Sequence, residues 1–318
     1  MIIPNWNGAA HLPACLDALA AQREAGFRTI VVDNGSSDGS LAVLARRDPP
    51  VGVIALPANL GYAGGCNVGL RRASSEFLVI LNNDTQVEPD WLGELLAALE
   101  QHPEAGMATP KVRLWDDHTR LHTTGDEVHV NGIPDSRGVW EVDEGQYDDQ
   151  VYVFGASGVA PAYRRAMLDE IGLFDADFGS YCEDVDLSWR AQLAGYRCVY
   201  APRAVLYHKV SATGKGVIRS YRVARNTIWT LAKNLPPGLW RHHRDAIVAG
   251  QWSRFATALR AWRGEAARAT LRGQLAGIAG LPRVWGKRAQ VQAMRRVDDG
   301  YLESLLRPVR GLDQDRRA

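Results

Sequence analysis

Phe77-Leu78-Val79-Ile80-Leu81-Asn82-Asn83-Asp84-Thr85 is a run of apolar and β-branched residues that stops at a polar cluster ending in a carboxylate. It reads as a buried strand with a charge at its tip. In an open parallel sheet, ligands bind outside the carboxyl ends of the strands, so Asp84 is a candidate for substrate chemistry. The competing reading is that Asn82, Asn83 and Asp84 cap a turn before a helix at Trp91. Neighbouring segments repeat the design. Met1 to Pro4, Thr29 to Val32 and Val51 to Leu56 also read as strands, each followed by a polar loop and an amphipathic helix. Four such repeats predict an α/β domain with a mostly parallel sheet flanked by helices, and right-handed crossovers bring the loops to one edge.

The glycines in these loops do not form a dinucleotide fingerprint, because Gly35-x-x-x-Gly39 and Gly61-x-x-Gly64-Gly65 have the wrong spacing. No Gly-Lys-Ser/Thr phosphate loop accompanies the strands either. Nucleotide binding at this edge would have to use side chains and short backbone turns.

The chain has 318 residues and a formal net charge of +1, which hides an asymmetry. Up to Val210, 16 Lys and Arg face 29 acids; from Ser211 onward, 21 face 7. We therefore expect a domain over 1–210 and a basic, Trp/Arg-rich helical region over 211–318, a charge balance that seeks phosphates or an anionic surface. Nucleic acid is not expected as a partner, since no recognised binding module accompanies the charge. Cys15, Cys66, Cys182 and Cys198 are scattered without zinc spacing and read as buried thiols of a reducing cytosol. There is no signal peptide and no window of about 18 apolar residues that could span a bilayer. The expected location is cytoplasmic, peripheral at the inner face of the membrane.

Beyond Gly106 the periodicity loosens. Met107 to Thr109 and Val128 to Val130 read as short strands, and His118, His122 and His129 as solvated loop residues, because their spacing is irregular for a metal. Val151 to Ala160 reads as a strand with a flexible break, Arg164 to Ile171 as a helix, and Leu187 to Leu193 as the start of another. Glu183, Asp184 and Asp186 precede that last helix, as dipole partners or as tuned carboxylates. Arg197 to Tyr200 and Val205 to Tyr207 read as two further strands ending at His208.

Five segments in this order resemble the family 2 inverting glycosyltransferases of GT-A fold: Ile3 to Gly8, Val32 to Ser40, Asn59 to Asn67, Leu81 to Asp84 and Glu183 to Leu187. Within that family the chain is most similar to rhamnosyltransferase-type enzymes of bacterial surface polysaccharides. The resemblance implies a UDP- or dTDP-sugar donor and a glycan or lipid-linked acceptor. It implies that Asp33 takes the N3–H edge of the base, with Pro4, Asn5, Asn59, Gly61, Gly65, Asn67 and Asn83 around the nucleotide. Asp84 matches the last acid of the family's Asp-x-Asp metal motif, whose first position here is Asn82, and His208 resembles a late second ligand for Mg²⁺ or Mn²⁺. Asp184 resembles the catalytic base, Glu183 would orient the acceptor, and Asp186 with Arg190 would anchor the helix. Gly155 to Gly158 would border the acceptor pocket.

In the basic region Trp252, Phe255, Leu259 and Trp262 recur at helical spacing beside Arg254, Arg260 and Arg263. The stripe fits a helix at a membrane surface or one packed on the acidic domain. An alternative to the enzyme is a catalytically silent nucleotide-sugar-binding scaffold, prompted by Asn82; a nucleotidyltransferase is disfavoured by the missing basic phosphate loop.

Overall fold

The computed structural model describes residues 1–210 and 216–309. Three strand–helix units open the chain: β1 (Ile2–Asn5), α1 (Leu12–Ala20), β2 (Ile30–Asp33), α2 (Ser40–Ala45), β3 (Gly52–Ala55) and α3 (Gly61–Arg72). β4 (Phe77–Val79), β5 (Thr85–Val87), α4 (Trp91–Gln101), β6 (Ala105–Leu114) and β7 (Leu121–Thr123) follow. Then come β8 (Asp126–Val128), β9 (Pro134–Ser136), β10 (Tyr152–Val153), β11 (Ala162–Arg164), α5 (Arg165–Ile171), α6 (Glu183–Leu193) and β12 (Arg197–His208). Five helices close the described chain: α7 (Gly216–Asn234), α8 (Pro237–Arg260), α9 (Glu265–Ala279), α10 (Leu281–Ala293) and α11 (Asp299–Leu305).

β1, β2 and β3 are parallel neighbours in the order β3-β2-β1. A parallel bridge between Ile2 and Ile80 joins β1 to the β4 segment, and the sheet continues β4-β11-β6-β12. The opening stretch is therefore central: Leu78, Val79, Ile80 and Leu81 are all buried between the helical layers. Each such side chain contributes roughly 1.5–3 kcal/mol of burial.

β11 runs antiparallel between β4 and β6. Its reversal has a direct effect on the site, because the loop that enters β11, residues 155–161, starts at the carboxyl edge of the parallel strands. β12 is parallel to β6, and its last residue, His208, pairs with Thr85 of antiparallel β5. That register sets His208 beside Asp84.

Several local readings are corrected. The helix expected from Leu187 starts at Glu183, so the acidic cluster lies inside its first turn. The two strands expected at 197–200 and 205–207 are one strand with a bulge between Ala201 and Val205, where Pro202 has no N–H to donate. Only Tyr152 and Val153 of the 151–160 stretch pair in a strand. The expected start of the helical region at Ser211 lies outside the described residues. All four cysteines are buried and free, as expected.

Candidate active site

The loops after β1, β2 and β4 form a polar clasp. Asn5 Nδ2 donates to Asp33 Oδ2 at 2.9 Å, Ser36 N donates to Asp33 Oδ1 at 3.0 Å, and Asn83 Nδ2 donates to Asn5 Oδ1 at 2.6 Å. Asn5, Asp33 and Asn83 are all buried, and each carboxylate oxygen of Asp33 keeps a lone pair for a further donor. Asn34 ties the next loop in, donating to the carbonyl of Gly61 at 2.9 Å and to Asn59 Oδ1 at 3.2 Å. Gly61 has φ +77° and lies against Gly179, so a side chain there would meet backbone; a Cβ on Gly65 would press on Asn34. Asn67 departs from its expected place at the nucleotide. Its amide exchanges hydrogen bonds with both backbone groups of Phe174, at 2.8 and 3.1 Å, which makes it a buried strut. Pro4 sits at the strand edge, partly buried.

At the tip of the central strand, Asp84 Oδ1 lies 3.2 Å from His208 Nε2. His208 Nδ1 lies 3.1 Å from Nδ1 of His122, correcting the reading of His122 as a solvated loop residue. Burial and the adjacent His208 hold the His122 imidazole down at about 3, so it is neutral at physiological pH. One of the two facing Nδ1 atoms carries the proton of that bond, and it holds the His208 ring with Nε2 turned toward the Asp84 carboxylate. His118 is an exposed turn residue as expected, stacked on Tyr207 at 3.8 Å, whereas His129 is buried with Nδ1 2.8 Å from the Pro308 carbonyl, which corrects its reading as a solvated loop residue. Asn82 Oδ1 accepts from Tyr62 Oη at 3.0 Å.

Tyr62 Oη also lies 2.5 Å from the carbonyl of Gly158, linking this strand tip to the second half of the site. Gly158 N donates to Asp184 Oδ2 at 2.9 Å, and Val185 N to Asp184 Oδ1 at 2.8 Å. A Cβ on Gly158 would come within 2.7 Å of Asp184 Oδ2, and one on Gly155 would strike Ser188 one turn further along α6. The small residues of this loop let it lie directly on the helix. Asp184 is partly exposed; burial pushes its carboxyl up, an effect only partly offset by those two N–H groups. Glu183 is buried, its Oε2 has no partner, and burial together with the Asp184 charge pushes it further up. A third carboxyl, Asp126 of β8, is buried with Oδ2 unpartnered and raised by burial and by Asp184. It donates its own N–H to the Gly155 carbonyl at 2.9 Å, so it sits under the same loop.

A family model described as Glycosyl transferase family 2 matches residues 1–172, more than half of the chain. The chain belongs to glycosyl transferase family 2. This family 2 enzyme is 26% identical over 265 residues to N-acetylglucosaminyl-diphospho-decaprenol L-rhamnosyltransferase of Mycobacterium tuberculosis, spanning 76% of this chain and 86% of that protein. It is 23% identical over 236 residues to poly-beta-1,6-N-acetyl-D-glucosamine synthase of Staphylococcus epidermidis, of whose length it covers 54%. Among solved structures it is similar to mannosyltransferase PcManGT from Pyrobaculum calidifontis in complex with GDP-Man and Mn²⁺ (TM-score 0.57, 19% identity, 96% of this chain and 81% of that one). It is also similar to residues 1–349 of S. aureus TarS in complex with UDP (TM-score 0.54, 19% identity, 94% of each chain). The fold is GT-A.

In this glycosyltransferase the basic helices support the catalytic edge in a way the sequence did not show. Tyr181 and Cys182, just before α6, both have left-handed backbone, with φ of 68° and 63°. Such residues cost roughly 1–3 kcal/mol each unless their surroundings enforce the shape. Asn226 of α7, fully buried, donates to the carbonyls of Phe178, Ser180 and Tyr181 at 2.6–3.1 Å. One turn into α6, Asp186 accepts from Lys233 at 2.9 Å, Asn234 at 2.8 Å and Arg190 at 3.0 Å. Asp186 and Arg190 thus anchor the helix, with Lys233 and Asn234 as partners that the sequence reading missed. Burial alone would raise the neighbouring Asp175 carboxyl, but Lys233 and Lys287 outweigh it and hold it at about 2.

Proposed function

We propose that this enzyme is a metal-dependent inverting glycosyltransferase acting in cell-surface polysaccharide synthesis. It moves a hexose or a deoxyhexose such as rhamnose from a UDP- or dTDP-sugar to a glycan or lipid-linked oligosaccharide, in the cytoplasm at the inner face of the membrane. Residues 1–210 form the catalytic domain and 211–318 its basic helical extension. The observation that carries the reading is the meeting, at one sheet edge, of the Asp84–His208 pair and the partly exposed Asp184, joined through Tyr62. The rhamnosyltransferase relative, named for a decaprenol-linked substrate, supports the sugar and acceptor classes.

Asp84 and His208 fit a hard divalent cation. One carboxylate oxygen and one imidazole nitrogen converge there, a sparse set that suits Mg²⁺ or Mn²⁺ completed by phosphate and water oxygens. When bound, the cation neutralises the departing diphosphate. Asn82, held by Tyr62, offers a neutral oxygen where relatives carry a charge. Asn5, Asp33, Asn83 and the loop Asn59 to Gly65 hold the nucleotide, with Asp33 accepting from the base. On the other side, Asp184 accepts the proton of the acceptor hydroxyl as that oxygen attacks the anomeric carbon opposite the leaving diphosphate. Its two backbone donors fix the carboxylate in place, while its burial keeps it basic. Glu183, the neighbouring buried carboxyl, would orient the acceptor.

A thermal-shift panel of UDP- and dTDP-sugars with and without Mn²⁺ tests the donor side, because a ligand that binds only the folded state raises its melting temperature. The expected result is a Mn²⁺-dependent rise with at least one donor. A panel flat for every donor overturns the assignment, whereas binding with no turnover across a broad acceptor screen would point to a silent scaffold.

A further inference from the structure

α8 has two faces of opposite character. Its inner face packs on the catalytic unit: Leu239 and Ile247 are buried in the core shared with α6, and Gly250 lies against Asn131 beside β8 and β9. Arg254 donates to Thr227 Oγ1 at 3.3 Å. On the outer face, Val248, Trp252, Phe255 and Leu259 recur at intervals of three and four residues, and Trp262 follows in the turn just beyond the end of the helix. At 100° per residue the four helical positions fall within about 60° of arc. Trp252 is 68% exposed, Val248 59%, Trp262 56% and Leu259 51%, and the Trp252 and Phe255 rings stack at 5.5 Å. α9, which packs beside α8, also carries exposed apolar side chains, Leu275 at 62% and Ile278 at 58%.

A soluble protein rarely leaves so many large apolar side chains on one face. Three properties say what covers this one. Tryptophan is the residue suited to the boundary between hydrocarbon and headgroup, with an apolar body and one N–H. The charge is one-sided: between Pro237 and Ala293 there are 10 Lys and Arg against 2 acids, Asp245 and Glu265. A second copy of the same face would bring like charges together, whereas anionic headgroups match them. Finally, no helix among the described residues is long and apolar enough to cross a membrane, so the surface lies on a bilayer rather than in it.

We propose that the outer face of α8, with the turn that follows it, docks in the plane of a bilayer interface carrying anionic headgroups, with Trp252 and Trp262 as its apolar anchors. Arg260, in the last turn of α8, and Arg263, just beyond it, meet the phosphates. The inner face of the same helix reaches the catalytic unit, so docking would set the acceptor side of the site at a fixed height over the lipid surface. The inference gives the lipid-linked acceptor of the proposed function a physical basis. It can fail independently, since docking is measured without turnover.

The test is co-sedimentation of the full-length protein with phosphatidylcholine vesicles and with the same vesicles containing phosphatidylglycerol, together with tryptophan fluorescence. We expect binding to the anionic vesicles, a blue shift of the emission, and weakening with added salt. The double variant Trp252→Ser/Trp262→Ser should lose at least about ten-fold in vesicle affinity while keeping the wild-type melting temperature. Arg260→Gln/Arg263→Gln should lose the preference for anionic vesicles. Absence of vesicle binding overturns the proposal, as does binding indifferent to both double variants. So does a dimer seen by light scattering that quenches the exposed tryptophans and excludes vesicles.

Discussion

The two halves of the site are built on opposite principles. Around Asp33 and Asn5 the polar contacts are mutual: carboxylate to amide, amide to amide, backbone N–H to carboxylate. Around Asp184, by contrast, two neighbouring carboxyls each leave a buried oxygen without a partner. A paired network is rigid and recognises a fixed shape, whereas an unpaired buried acceptor is costly until a proton or a substrate hydroxyl satisfies it. On the proposed function, the paired half would hold the nucleotide and the unpaired half would wait for the acceptor hydroxyl.

Asp184→Asn tests that contrast most severely. Transfer should fall by roughly 10²–10⁴-fold in a steady-state assay, while the donor-induced thermal shift persists; loss of donor binding would mean the halves are not separable. Lys233→Ala probes what holds the base helix in place. Removing one partner of a buried pair leaves Asp186 and Asp175 short of a cation, so urea unfolding should show a loss of about 3–5 kcal/mol. A stability change near zero would place the support of α6 elsewhere.

Glu183→Gln is expected to have the opposite sign. A carboxyl whose folded pKa is raised contributes stability at low pH and loses it as pH rises through the folded value, so removing the acid should stabilise the protein at neutral pH by about 1–3 kcal/mol. Asp175, held at about 2, behaves conversely: its contribution is present above the unfolded carboxylate range and is lost as pH falls toward 2. For activity, the raised Asp184 carboxyl puts the acid limb of the pH–rate profile above the ordinary carboxylate range. A limb at the ordinary value would show that substrate restores the base to a solvated state. The smallest expected effect is that of His122→Ala, which frees the His208 ring. Mn²⁺ affinity, followed by electron paramagnetic resonance, should weaken by about ten-fold with the fold intact.

The sequence made the parallel half of the sheet readable because each of its strands is a short apolar run cut off by a polar loop. Asp84 and Asp184 stood out in the sequence for the same reason, each lying where such a run or a helix begins or ends. β11 was hidden: a three-residue strand carries too little alternation to announce that it runs backward. The start of α6 was missed because Cys182, a left-handed residue with no side-chain cap, stands where a Ser, Asp or Asn would have signalled it. His122 gave no signal since its partner is 86 positions away. In the basic region the pattern of Trp252 to Trp262 was visible, but which face packs and which stays bare depends on the fold.

The left-handed pair Tyr181 and Cys182 gives the chain an order of assembly. Asp184 leaves the ribosome before Asn226, the residue that clamps the turn in front of it. Until α7 has emerged and docked, the carbonyls of Ser180 and Tyr181 lack their Asn226 donor, and the left-handed turn before the helix carrying Asp184 lacks its clamp. A nascent chain can thus complete the Asn5–Asp33–Asn83 network while the Asp184 carboxylate is still unaimed.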